Sequence, residues 1–192
     1  MKPVPLRPLP CDLRRRCLVG ASLLAGAPLG WAQTAAVAPP AELATDLPDA
    51  RLRGSALMRF FGLHIYDIRL WTAAAAADPA QPPLALELIY GRKLVGEQIA
   101  SRSLDEMRRV GSPSEAQASR WRAAMGQLFP DVVAGDRLTG VMRSDGVARF
   151  HFNGQLRGEI ADADFSRLFF GIWLSPRTSE PRLRAQLLGL TP

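Results

Sequence analysis

Apolar and polar residues alternate with period two along Arg51–Phe61 and His64–Thr72, two stretches that meet at Phe61-Gly62-Leu63 and predict a β-hairpin. In the second stretch Ile65, Asp67, Arg69 and Trp71 share one face, and His64, Tyr66, Ile68, Leu70 and Thr72 the other. A Pro-bearing loop, Asp78 to Pro83, leads to a third strand, Leu84–Tyr90. The period then lengthens. Ile99, Ser103, Leu104 and Met107 recur at helical spacing within Gly96–Val110 and define its inner side. Ser112-Pro113-Ser114-Glu115 reads as a capping box with Pro at the first helical position, opening a helix to about Leu128 that Phe129-Pro130 ends. Alternation returns in Arg137–Arg143 and Val147–Asn153, a hairpin across Ser144-Asp145-Gly146, and Asn153-Gly154 turns the chain into Gln155–Ile160. Asp162 caps a helix whose Phe165, Leu168, Phe169 and Ile172 fall at i, i+3, i+4 and i+7, a stripe that must lie on the sheet. Ser175-Pro176 stops it, and Glu180–Leu188 forms a last short helix closed by Gly189. Antiparallel hairpins with helices gathered on one side predict an α+β fold.

The first residues follow none of these periods. Lys2, Arg7 and Arg14-Arg15-Arg16 precede a short apolar run, Cys17 to Ala27, and a small-residue site at Gly30-Trp31-Ala32. A positive region, a short apolar core and a small-x-small end predict a signal peptide over residues 1–32. The adjacent arginines fit a twin-arginine signal as well as an ordinary positive region. The expected mature chain then starts near Gln33 and is periplasmic or secreted. Its formal charge falls from +6 to +2, because five Lys or Arg and one Asp leave with the leader. That removes the main support for a nucleic-acid partner. Cys11 and Cys17 leave too, so no disulfide, thiol nucleophile or cysteine metal site is expected. Residues 33–48, rich in Ala and Pro, read as a tether, and residues 49–192 as one domain. No stretch of that domain is apolar for long enough to span a bilayer as a helix.

Candidate chemistry is sparse. His64 and His151 are far apart and have no carboxylates at ligand spacing, so no metal and no cofactor is expected. Neither a phosphate-cradling glycine loop nor a nucleophile elbow occurs. His151 alternates with Phe150 and Phe152 and shares its face with Arg149 and Asn153, which predicts an exposed face. Asp67 and Arg69, two apart on one strand face, are near enough to pair. Tyr66 points the other way with Ile68 and Leu70, into a core or a pocket.

Four stretches carry a family likeness: Leu52 to Trp71, Gly96-Glu97-Gln98-Ile99-Ala100-Ser101-Arg102-Ser103, Phe129-Pro130-Asp131-Val132 with Gly135-Asp136, and Phe169-Phe170-Gly171-Ile172-Trp173-Leu174. In these the chain resembles the chalcone isomerase-like family, in its bacterial exported branch. The resemblance implies an open-faced β-sandwich: a large antiparallel sheet with a helical layer and a ligand cleft between. Members that act as isomerases use an arginine on the first strand, a threonine on the second, and a tyrosine and an asparagine on the helix after the third. Here the arginine falls on Arg53 or Arg59, the threonine on Tyr66 and the tyrosine on Ile99, while the asparagine position lies around Glu106 with no asparagine there. Flavanone formation needs hydrogen-bond donors around a phenolate, and Ile99 donates none. Non-catalytic members bind fatty acids, with an arginine and a tyrosine on the carboxylate. Arg59 and Tyr66 are the corresponding candidates, with Arg53 and Ile99 beside them. The resemblance therefore implies an exported module for a small apolar, amphipathic or fatty-acid-like ligand. An isomerase or intramolecular lyase with another substrate, and a structural envelope protein, are the alternatives.

Overall fold

A computed structural model describes residues 37–74 and 76–190; the leader read over residues 1–32 and the start of the linker, 33–36, lie outside them. Six strands, β1 (Ala50–Phe60), β2 (Leu63–Ala73), β3 (Leu84–Tyr90), β4 (Arg137–Met142), β5 (Ala148–Phe152) and β6 (Gln155–Ile160), pair antiparallel in chain order in one sheet. Helices α1 (Gly96–Val110) and α2 (Glu115–Leu128) form the excursion between β3 and β4, and α3 (Ala163–Leu174) and α4 (Pro181–Leu188) follow β6. This is an α+β fold, as the sequence periods predict. Leu84, Leu86 and Leu88 of β3, Ile68 and Leu70 of β2 and Phe150 of β5 join the helices in the main core.

Helix α3 is the most deeply set, since nine of its residues are buried. Asp162 starts it, accepting from the backbone N–H of Asp164 at 3.0 Å and Phe165 at 3.1 Å, and also from Trp121 Nε1 of α2 at 2.9 Å. The ring of Phe165 stacks on Phe169 with centroids 5.3 Å apart and stands edge-on to Trp121 at 5.7 Å. The predicted capping box of α2 forms two residues further on. Ser114 is the cap; its Oγ accepts from Gln117 N at 3.2 Å, and Ser114 N donates to Gln117 Oε1 at 3.0 Å. Pro113 thus precedes the helix instead of opening it, because the S-x-x-Q spacing from Ser114 satisfies both orphan donors.

The sheet face away from the helices departs most from expectation. Residues 40–47 pack on it instead of trailing free. Ala41–Leu43 form a 3-10 turn, and Leu43 and Leu47 are buried against Trp71, Ala85 and Val141. Glu42 accepts from Arg137 Nη2 at 3.0 Å and from Thr139 Oγ1 at 2.9 Å, and Asp46 accepts from Arg149 Nη1 at 2.7 Å. Leucines four apart, with carboxylates that meet sheet arginines, make this strap part of the fold. It also covers His151, expected to be exposed and found 7% exposed, with its Nδ1 lacking a hydrogen-bond partner. Burial pushes the His151 pKa below the usual imidazole value, opposed by Glu42. Asp67 and Arg69 do not pair with each other. Asp67 meets His64 at 3.2 Å, and Arg69 reaches Glu87, directly opposite on β3, at 3.4 Å. Glu87 is buried and also accepts from Trp71 Nε1 at 3.0 Å.

Phe165 has no exposed surface, so Phe165→Ala should lower unfolding free energy by about 3–5 kcal/mol. Urea denaturation checks this; an unchanged midpoint would mean that α3 does not carry the core.

Candidate functional site

Between the inner sheet face and the helices lies a cavity of about 470 Å³. Its depth is apolar: Leu86 and Leu88 from β3, Leu138 from β4, Phe150 from β5, and Phe169 and Ile172 from α3. Gly140 lies on its floor, where an added Cβ would come within 3.3–3.5 Å of the Phe150 and Phe170 rings. Helix α1 forms one wall with Ile99, Arg102, Ser103 and Glu106, and the hairpin end of β1 and β2 supplies Met58, Phe60, Ile65 and Tyr66. Ser179 and Glu180, ahead of α4, complete the mouth.

Polar groups enter this lining at few points. The Tyr66 phenol oxygen accepts from Trp173 Nε1 at 3.0 Å, which leaves its own O–H to donate. Burial pushes the Tyr66 pKa up to about 12; the Trp173 bond opposes this, and Glu180 and Glu106 add to it. Tyr90 lies edge-on to Tyr66 with ring centroids 6.0 Å apart, and burial raises its pKa further. Both phenols are therefore neutral donors at any ordinary pH. Arg102 Nη2 lies 2.6 Å from Glu106 Oε1, and Arg109 Nε lies 3.3 Å from Glu106 Oε2. Glu106 is buried, and its carboxyl group is held by two guanidinium groups.

Of the sequence candidates, Tyr66 and Ile99 line the cavity. Arg59 does not join them. Met58 and Phe60 face the cavity, so period two turns Arg59 away, and its Nη1 donates to Gly62 O at 3.3 Å. Arg59 instead borders a shallow surface depression with Asp67 and Arg69. Arg53 is exposed and rests beside Gly189 after α4. The cavity's cation is Arg102, which sequence reasoning missed. Its signal was its place three residues after Ile99, on the side of α1 that continues to Glu106. Among the described residues no three metal-ligating side chains cluster, and no helix is long and apolar enough to cross a membrane.

A family model described as chalcone isomerase-like matches residues 32–189. An uncharacterised protein of Haemophilus influenzae is 28% identical over 138 residues, which span 72% of this chain and 67% of that one. The crystal structure of a fatty-acid binding protein of Arabidopsis thaliana aligns with a TM-score of 0.57 and 12% identity, over 73% of this chain and 87% of that one. At that identity the likeness is one of fold.

The chain's two tyrosines both line the cavity, which makes their titration a local probe. Absorbance at 295 nm should stay flat through the ordinary phenol range near pH 10 and rise only at about pH 12 or on unfolding. Ionisation of either phenol near pH 10 in the folded protein would contradict the burial described.

Proposed function

The chain belongs to the chalcone isomerase-like family, and on that premise we propose that it binds a small amphipathic or apolar ligand without transforming it. The observation that carries this reading is the cavity. Its volume suits one small molecule, its walls are aliphatic and aromatic, and its few polar groups gather at one end. The ligand's apolar body lies against Leu86, Leu88 and Phe150, and its polar end reaches the Tyr66 hydroxyl and Arg102. The fatty-acid binding protein of similar fold supports a lipid-like ligand.

The groups that line the cavity support binding without turnover. Both phenols hold their protons and Glu106 is tied to Arg102 and Arg109, which leaves Glu180, at the mouth, as the other carboxylate of the lining. Ile99, which by the resemblance falls at the isomerases' tyrosine position, lines the cavity and supplies only apolar surface. The Arg102–Glu106 pair also bears on the head group. An uncharged acceptor takes the Tyr66 proton and leaves that pair intact, whereas a carboxylate competes with Glu106 for Arg102. Export by the leader read over residues 1–32 would set this binding in a periplasmic or secreted protein.

Native mass spectrometry of protein purified without detergent should show a retained lipophile. Leu88→Trp, which fills the cavity, should abolish its retention and that of added oleic acid or methyl oleate. Tyr66→Phe should weaken both probes by about 0.5–1.5 kcal/mol, the usual value of one hydrogen bond. Arg102→Ala should weaken oleic acid more than its ester. Wild-type protein that takes up neither probe, or Leu88→Trp protein that takes up both, would contradict the reading.

A further inference from the structure

The turn between β1 and β2 is the most exposed apolar feature of the described residues. Phe61 is 90% exposed, Leu63 53% and Phe60 51%, and the Phe60 and Phe61 rings lie edge-on with centroids 4.5 Å apart. Large apolar side chains gathered at one projecting point are uncommon on a protein that meets only water. Phe61 holds a φ of 48°, a left-handed conformation rare for a bulky residue, at the corner where the chain reverses into Gly62.

The neighbours of this tip give it a chemical character. Gly91 N donates to Ile65 O at 2.8 Å, which seats the β3–α1 loop beside the turn. That loop adds exposed Val95 and two exposed cations, Arg92 and Lys93, and Arg59 adds a third from β1. Asp67, the carboxylate on β2, lies 3.2 Å from His64 Nε2. Phe60 belongs to both the tip and the cavity lining, so the apolar surface runs from the turn into the cavity mouth.

We propose that this tip docks on an anionic phospholipid surface, with Phe60, Phe61 and Leu63 entering the interface and Arg59, Arg92 and Lys93 against the head groups. This rests on the ligand-binding reading only for its purpose, which is to bring the cavity mouth to the membrane where a lipophilic ligand resides. Aromatic side chains flanked by cations are the groups that partition into a bilayer interface. A second copy of the chain is the poorer occupant, because a two-fold contact through the tip sets three cations against their own counterparts.

Vesicle flotation tests the proposal with equal parts of phosphatidylcholine and phosphatidylglycerol, and with phosphatidylcholine alone. The full chain should float with the mixed vesicles, less with the neutral ones, and less again in high salt. Phe61→Ser with Leu63→Ser should reduce binding about tenfold or more, and Arg92→Glu with Lys93→Glu by a similar factor at low salt. Both double variants should keep the wild-type melting temperature, since these side chains project into water. Leu88→Trp, which blocks the cavity, should still float. Docking by a protein that retains no lipophile would leave this proposal standing while removing the ligand reading. No flotation with either vesicle, or flotation that Phe61→Ser with Leu63→Ser leaves unchanged, overturns the proposal. A concentration-dependent dimer that the same variant abolishes, without vesicle binding, assigns the tip to a second copy and overturns it as well.

Discussion

Helix α3 is apolar almost all the way round, and enclosing it is the constraint on which the rest depends. Phe165 and Phe169 press on the sheet while Gly171, on the far side, lets Val110 of α1 approach. A helix with so little wetted surface must be walled in by several elements, and here the sheet, α1 and α4 do this. At the Phe165 end, Trp121 and Phe150 fill the space between helices and sheet. Toward Trp173 the filling thins, and the walls of α1 and the β1–β2 hairpin enclose the cavity. The site is thus the part of the core that α3 holds open and does not fill.

The opposite sheet face is held differently. There Leu43 and Leu47 bury only a small apolar patch, and carboxylates of the strap and of β3 meet arginines of β2, β4 and β5. Breaking one member of such a set leaves a buried charge without its partner, which costs far more than the pair contributes. The strap therefore depends on its charges in a way that the α3 side does not.

Most of the elements were legible in the sequence because each has a local cause. Period two, period 3.6, the Asp162 cap and the Gly189 stop all lie within a few residues of what they determine. The exceptions are non-local. His151 alternates as an exposed residue should, and nothing near it reveals that a segment about a hundred residues earlier covers it. That segment, rich in Ala and Pro, carries no period to advertise its fold. Arg59 was paired with Tyr66 without a register, yet Met58 is the residue opposite Tyr66 and the register shifts immediately after it. Arg102 was hidden for the opposite reason, since one arginine among several on an amphipathic helix looks like solvated surface until the third dimension shows which side it lines.

A lipophile in the α3 cavity would explain in one stroke the apolar depth, the donors confined to one end, and the apolar approach along Phe60. Methyl-resolved NMR with a hydrophobic probe such as methyl oleate tests that claim most directly. The account predicts shifts confined to methyl groups of the cavity lining, those of Leu86, Leu88, Ile99, Leu138 and Ile172 foremost, with intermolecular contacts from the probe to the same groups. Shifts confined instead to Leu43, Leu47 and Val141 beneath the strap would contradict it.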